Sequence, residues 1–399
     1  MKSPFLFVLI ACLSGPALAD SVSEIEQIGA QHVAQVQQTS DIGTVNRSKI
    51  QQDGADHHAA VTQQGFIAQN VSDIVQHGTG NDAKVTQSAD VAFDSTSVIQ
   101  QAGSGNSAEV FQGASSELTL DVNIRQQGDG NHASVEQSGI FAARYAATID
   151  QFGEQNDATV FQGNGSFSVS ETVIQQVGSA NTANASRIGS NTFGTAEIRQ
   201  NGSGNDADVQ QNWAAIMEVL VVQTGQLNEA SIEQSGFEPA SMTASVDQNG
   251  SGNRVTTRQI SPVQSYILGA AATSSVTQIG SDNIAQIDQF LNVEGDLDIS
   301  DVRMNGASNS VTLRQGEGSA NSNNQSTMDV TGAGNSAVVT QSGLWGSNVS
   351  SLVETGNDNV VSVAQHAVGG GFGNTVSNTS SVNVAGDNNV VNVVQSVGP

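Results

Sequence analysis

The chain has 399 residues, of which 37% are hydrophobic and 4% aromatic, and it carries a formal net charge of −26 at pH 7. So little apolar material excludes several large globular cores, and so acidic a surface argues against nucleic acid or anionic membranes as partners. Cys12 is the single cysteine, which excludes an intramolecular disulfide framework.

The first element in chain order is a predicted secretory signal peptide, residues 1–19. Lys2 precedes an apolar run, and the small residues Ala17 and Ala19 have the spacing of a signal-peptidase cleavage site. We therefore expect a secreted, extracellular protein without cysteine. The alternative is lipoprotein cleavage before Cys12, which would tether the chain through an acyl group.

The rest of the chain, residues 20–399, consists of fifteen copies of one pattern. We number each copy from its first glutamine position as zero, which places an aliphatic residue at −2, a glycine at +2, an asparagine at +5 and a second glutamine at +11. A chain built from one copied unit is typical of a solenoid, so function is expected from the stack and not from a single pocket. The glycines are 23 to 30 residues apart and are Gly29, Gly54, Gly78, Gly103, Gly128, Gly153, Gly178, Gly202, Gly225, Gly250, Gly280, Gly306, Gly332, Gly356 and Gly386.

Alternation on both sides of each glycine predicts two β-strands per copy. The positions expected to be buried are even before the glycine (−4, −2 and 0) and odd after it (+5, +7, +9 and +11). This change of parity requires a tight turn between positions 0 and +5, for which the glycine supplies conformational freedom. Each copy is therefore predicted to be a strand, a short arc, a second strand and a loop of variable length.

Amide side chains occupy three of these interior positions. Position +5 is Asn in thirteen copies and His in two, and position +11 is Gln in fourteen copies and Arg187 in one. A buried amide without partners costs about 1–3 kcal/mol, but copies stacked in register can join their amides in a continuous ladder. The predicted stacking-ladder residues of four clear copies are Gln76, Gly78, Asn81, Gln87, Gln101, Gly103, Asn106, Gln112, Gln126, Gly128, Asn131, Gln137, Gln151, Gly153, Asn156 and Gln162.

The predicted fold is therefore all-β, a flat parallel β-solenoid of about fifteen strand-arc-strand repeats with amyloid-like stacking. The last copy ends at Gln395, and little sequence remains at either end for capping elements. Uncapped and nearly identical ends predict head-to-tail addition of subunits.

The last four copies lack the glutamine at position zero. In its place they have Met304, Val330, Glu354 and Val384. These copies have lost one ladder, which predicts a C-terminal segment that stacks less faithfully or meets a different partner.

The pattern Gln-x-Gly-x-x-Asn-x-Ala-x-x-x-Gln, seen in residues 76–87 and again in residues 151–162, resembles the curlin repeat of bacterial curli subunits. It recurs over essentially the whole mature chain. The resemblance implies a functional amyloid that polymerises with itself into cell-surface fibres of the pilus type, for biofilm matrix and cell adhesion. It also implies two further partners, a nucleator subunit and an outer-membrane export pore. The chain departs from the family in having more repeats, and in a strand-like segment at residues 21–27 where a targeting segment is expected.

Three other functions are compatible with a solenoid. Acidic arcs such as Gly80-Asn81-Asp82 are similar to calcium-binding β-rolls, although roll motifs recur about every nine residues. A monomeric secreted adhesin is the second alternative, and a parallel β-helix enzyme is the third. Because no catalytic motif or phosphate loop is found, and His32 and His57 are expected to fill the Asn position, we expect no catalysis, no cofactor and no metal site. We also expect no membrane insertion, since no second apolar run could cross a bilayer.

Overall fold

The computed structural model describes residues 7–14, 20–40, 43–89, 93–114, 118–141, 143–166, 168–189, 193–212, 216–236, 241–261, 270–291, 296–316, 323–369 and 376–398. Within these ranges the protein is all-β and contains no helix. The strands are parallel and stack as a β-solenoid, which confirms the predicted fold class. Contacts divide the chain into two compact units, an N-terminal unit (residues 1–192) and a C-terminal unit (residues 193–399).

The N-terminal unit contains fifteen strands. They are β1 (Phe7–Ser14), β2 (Asp20–Ala30), β3 (Val33–Ser40), β4 (Val45–Ala55), β5 (His58–Gly65), β6 (Ala68–Thr79), β7 (Asp82–Ala89), β8 (Phe93–Ser104), β9 (Ser107–Ala114), β10 (Leu118–Asp129), β11 (His132–Phe141), β12 (Ala143–Glu154), β13 (Asp157–Ser166), β14 (Val169–Ser179) and β15 (Thr182–Ile188). The even strands form one sheet and the odd strands the other, each in chain order.

The described part of the C-terminal unit contains sixteen strands with the same alternation between two sheets. They are β16 (Phe193–Ser203), β17 (Asp206–Asn212), β18 (Ile216–Gln226), β19 (Glu229–Gly236), β20 (Ser241–Ser251), β21 (Arg254–Ser261), β22 (Ala271–Ser281), β23 (Ile284–Phe290), β24 (Leu297–Ala307), β25 (Ser310–Gln315), β26 (Asn323–Ala333), β27 (Ser336–Leu344), β28 (Gly346–Asn357), β29 (Val360–Val368), β30 (Val376–Ala385) and β31 (Val390–Val397). One copy of the repeat therefore supplies one even strand and the following odd strand, which together we call a rung.

Successive rungs pair position by position, so that like residues meet. In the pairing of β6 with β8, Gln76 is opposite Gln101 and Gly78 is opposite Gly103. The predicted interior positions of inner rungs are buried in both units: Ile74 at −2 and Ala83 at +7 in the N-terminal unit, and Val302 at −2 and Val311 at +7 in the C-terminal unit, are fully shielded from solvent. The parity change inferred from the sequence is thus confirmed, and it brings the two sheets together around one interior.

The arc between the two strands of a rung turns at position +4, where φ is positive in every copy. Glycine supplies this conformation in six copies, and the other nine use residues that carry a Cβ, among them Gln155, Ala180 and Leu227. The glycine at +2 also has positive φ, but a Cβ there would in addition overlap the backbone of the next rung, as at Gly103 beneath the Gly128 carbonyl. The predicted conformational role of the +2 glycine is thus confirmed, and the structure adds to it the left-handed residue at +4 and a close approach between rungs.

Residues 7–14 form β1, which lies in register on the outer edge of β3, with Phe7 opposite Val33 and Cys12 opposite Gln38. In the intact chain β1 therefore covers this edge, whereas the uncapped first rung was expected of residues 20–399 and stays a prediction. In the other sheet, β2 pairs with β4, and no described strand lies on its other edge. Assignment of residues 1–19 as a signal peptide stays a prediction.

The four divergent copies stack as regularly as the others. Gln278 is opposite Met304, and the register continues through Val330, Glu354 and Val384 without a shift. The expectation of less faithful stacking is wrong, because the backbone ladder and the two remaining amide ladders hold the register. In the described part of the chain, no helix has the length and apolarity needed to cross a membrane.

Candidate functional site: the amide ladders

The first ladder joins the glutamines at position zero. Each Nε2 donates to Oε1 of the next copy, from Gln76 to Gln101 at 2.9 Å and from Gln101 to Gln126 at 2.8 Å. The ladder continues in the same direction to Gln151 and Gln176. The second N–H of each amide reaches a backbone carbonyl, such as that of Asp82 for Gln101. Because both hydrogens and the oxygen are used, these buried amides are satisfied.

A second glutamine ladder runs at position +11 on the odd strands and donates in the same direction. In the N-terminal unit, Gln87 donates to Gln112 at 2.9 Å and Gln137 donates to Gln162 at 2.9 Å. In the C-terminal unit the ladder is unbroken from Gln211 to Gln395.

The asparagine ladder at position +5 donates in the opposite direction. The Asn106 Nδ2 donates back to Oδ1 of Asn81 at 3.1 Å, and the backbone N–H of Asn106 donates to the same oxygen. The other Nδ2 hydrogen reaches forward to the Gly128 carbonyl at 2.7 Å. Each asparagine therefore joins three consecutive rungs. Asn131 and Asn156 repeat the arrangement.

The structure brings together every residue that the sequence analysis selected. The twelve amide residues are at most 1% exposed: Gln76, Asn81, Gln87, Gln101, Asn106, Gln112, Gln126, Asn131, Gln137, Gln151, Asn156 and Gln162. The four glycines lie in one column: Gly78, Gly103, Gly128 and Gly153. At each of them the backbone carbonyl of the next rung lies so close that a Cβ on the glycine would overlap it. The direction in which each ladder donates could not be read from the sequence.

Two histidines begin the asparagine column, as predicted. The His32 and His57 rings stack with centroids 5.1 Å apart and planes 5° apart. In both, Nε2 donates to a carbonyl four residues earlier, and Nδ1 accepts the backbone N–H of the next residue in the column, His57 or Asn81. This geometry requires neutral rings. Burial is the main reason that the pKa of His57 is lowered, although its bond to the Asp53 carbonyl acts in the other direction.

The sequence analysis missed a further buried column at position −6. Asn70 donates to Asn46 at 2.8 Å in the N-terminal unit, and Ser95 donates to Asn70. In the C-terminal unit, Asn324 donates to the buried carboxyl of Asp298, and the column continues through Asn348 and Asn378. Recurrence of asparagine at the copy spacing was the available signal, but it is present in few copies.

Residues of other types interrupt the ladders. Toward the next copy, the Gln278 amide meets the sulfur of Met304 at 3.6 Å, while its other N–H donates to the Arg254 carbonyl at 3.1 Å. Burial lowers the pKa of the Arg187 guanidinium to about 10, although its charge still interacts with Tyr145. Glu354 is fully shielded, neither of its carboxyl oxygens has a hydrogen-bond partner, and burial raises its pKa to about 7.

At the first rung, two glutamine oxygens of the ladders have no hydrogen-bond donor. The Oε1 atoms of Gln27 and Gln38 are buried and have no hydrogen-bond partner, while their Nε2 atoms donate to Gln52 and Gln63. Each of these oxygens occupies the place where an earlier copy would donate. The register partner of Gln38 is Cys12, a residue type without an amide.

The described residues include no group of three or more His, Cys, Asp or Glu placed to hold a metal ion. The arc acid Asp82 lies 3.0 Å from His58 Nδ1 on the surface instead. The buried amide side chains can thus form hydrogen bonds with another copy of the same ladder. A scan against protein-family models finds no match. A search of curated proteins finds no match to the chain either.

Proposed function

We propose that the protein is a secreted structural subunit that polymerises head-to-tail into extracellular, curli-like amyloid fibres of a biofilm matrix, which also serve adhesion. The observation that carries the proposal is the unmatched ladder chemistry of the first and last rungs. The first rung has buried acceptors without donors, and the last rung has two amide donors, on Gln395 and Asn389, that face no further described rung.

The glutamine ladder at +11 supplies the donor. Gln395 receives a bond from Gln365 at 2.8 Å and donates to the Thr379 carbonyl, also at 2.8 Å. Its second N–H corresponds to the one that, in inner rungs, donates to the next copy. The unpartnered Oε1 of Gln38 in a second molecule is a matching acceptor.

The asparagine column supplies a second match. Asn359 donates forward to the Gly386 carbonyl at 2.8 Å, and Asn389 donates back to Asn359. Asn389 would donate forward in the same way to the Gly29 carbonyl of a second molecule. Gly386 has room for this approach, since a Cβ built there meets only Asn389, at 3.6 Å.

Removal of residues 1–19 is part of the proposal. In the intact chain, β1 occupies the edge of β3 that the last odd strand of a second molecule would use. Cleavage of a secretory signal would free this edge and present Gln38 to Gln395 of the incoming molecule. The nucleator, the export pore and the adhesive role rest on the resemblance to curlin repeats, which the buried ladders support.

The first experiment follows residues 20–399 after dilution from denaturant, by thioflavin T fluorescence and electron microscopy. Fibres are expected. The double variant Gln101→Ala with Asn106→Ala should elongate more slowly, because it opens two ladders in the interior. Gln100→Ala, at an exposed neighbouring position, is the matched control. Unchanged kinetics in the double variant would count against the ladder argument.

A second experiment addresses the ends. Gln395→Leu should slow the addition of molecules to preformed seeds, while Ser396→Leu, at the exposed neighbouring position, should not. A chain that remains monomeric at all concentrations would favour the adhesin alternative, for which the covered edge of β3 is the supporting observation. Folding that requires calcium would favour the β-roll.

A further inference from the structure

Glu354 occupies a position that a glutamine ladder uses elsewhere. It lies on β28 at position zero, opposite Val330 of β26 and Val384 of β30. Its side chain is fully shielded from solvent, and both carboxyl oxygens lack a hydrogen-bond partner. An acid between two valines has no neighbouring amide to receive a bond from.

In another rung of this unit, backbone carbonyls next to position zero accept hydrogen bonds from the side chain. In the same unit, Gln248 at position zero donates to the carbonyls of Glu229 in the preceding rung and of Asn253 in its own rung, both at 3.0 Å. The equivalent positions in the register of Glu354 are those of Ser336 and Asn359, whose carbonyls are inferred to face it. A protonated carboxyl can donate to one of them, whereas a carboxylate has no hydrogen and is repelled by both.

No described charge compensates an ionised Glu354. The charged or titratable groups on the strands and arcs packed around it are Asp329 on β26, His366 on β29, and the arc acids Asp358 and Asp387, and all four are exposed. β27, β28 and β30 contribute no other ionisable side chain near this level. Burial raises the pKa of Glu354 to about 7.

We propose that Glu354 is a proton-operated latch for the last rung: the neutral acid keeps β30 and β31 stacked on β28 and β29, and ionisation releases them. The pKa in the stacked state lies above the ordinary glutamate value of 4.5, so the stacked rung binds the proton more tightly than the released rung does. The stabilisation is therefore complete below about pH 4.5 and is lost as the pH rises through about 7. The inference concerns the rung within one molecule and holds whether or not the chain polymerises.

Hydrogen exchange measured by mass spectrometry at pH 5.5 and pH 8.5, corrected for intrinsic exchange, tests the latch. Peptides from β30 and β31 should lose protection at the higher pH by a factor of about 30, while peptides from β20 and β21 should not. In Glu354→Gln, which can donate to the same carbonyls, the loss should vanish. Asp329→Asn removes an exposed acid from the neighbouring strand and should behave like the wild type.

Equal protection of β30 and β31 at both pH values in the wild type would overturn the proposal, and so would a pH-dependent loss that persists in Glu354→Gln. If Glu354→Gln fails to fold, infrared spectroscopy of the wild type labelled with ¹³C-glutamate gives a second test. A protonated carboxyl band at pH 6 is expected, and a fully ionised glutamate spectrum at that pH would overturn the proposal.

Discussion

Gly103 lies directly beneath the carbonyl of Gly128, so that a Cβ on Gly103 would overlap that oxygen. Two residues later, Gly105 also has positive φ, yet a Cβ there would meet nothing within 4 Å. A Cβ at Gly105 would therefore cost free energy only through the backbone conformation, whereas a Cβ at Gly103 would also disturb the stacking of rungs.

Gly103→Ala should destabilise the protein by several kcal/mol, because a rung must move away from its neighbour. Gly105→Ala should cost only about 1 kcal/mol, the usual penalty of a left-handed residue with a Cβ. Urea denaturation followed by circular dichroism measures both. Equal losses would show that the rungs are not in backbone contact at this column.

Leu227 offers the reverse test at position +4. It has φ of 55° and is 69% exposed, so its side chain is held in a strained backbone conformation with little packing in return. Leu227→Gly should stabilise the C-terminal unit by about 1 kcal/mol. Gln226→Gly, one residue earlier in the exposed end of β18, should destabilise it. A loss of stability in Leu227→Gly would contradict the assigned turn.

The stacked imidazoles of His32 and His57 predict acid sensitivity at the first rungs. Because burial lowers the pKa of His57, the unfolded chain takes up protons first, and stability is complete above about pH 6.5 and falls below it. One proton limits this loss to at most about 1.4 kcal/mol per pH unit. The titratable side chains that face His57 are those of His32, His77 and Asp53.

His57→Asn should remove most of this sensitivity, since an asparagine continues the column without a charge. The exposed His132→Asn serves as the control. Hydrogen exchange of β4 and β5 between pH 4.5 and pH 7.5 is the measurement. Acid sensitivity that is equal in both variants would refute the role of His57.

The buried carboxyl of Asp298 predicts that the folded protein loses stability as the pH rises. Burial raises its pKa to about 8, only partly offset by the bond from Asn324, and the nearby Asp296 raises it further. The folded state therefore holds the proton, and stability is complete below about pH 3.8 and decreases up to about pH 8, by at most about 1.4 kcal/mol per pH unit. Asp298→Asn should abolish the decrease, as judged by exchange in β24 and β26. The exposed Asp247→Asn should leave it unchanged.

The sequence by itself determined the strands, the buried positions and the membership of three ladders. These follow from alternation along a strand and from identity between copies, and both are properties of sequence spacing. The histidines in the asparagine column were foreseen for the same reason: they occupy position +5.

Only the tertiary structure decided how those residues meet. Donation by Gln101 to the following copy and by Asn106 to the preceding copy depends on amide orientation, which is fixed by backbone carbonyls of other rungs. The left-handed turn at position +4 tolerates residues as different as Leu227 and Ala180, so no residue preference marked it. The regular stacking across Glu354 was not foreseen either, because the backbone hydrogen bonds of neighbouring strands hold the register where one side-chain ladder is absent.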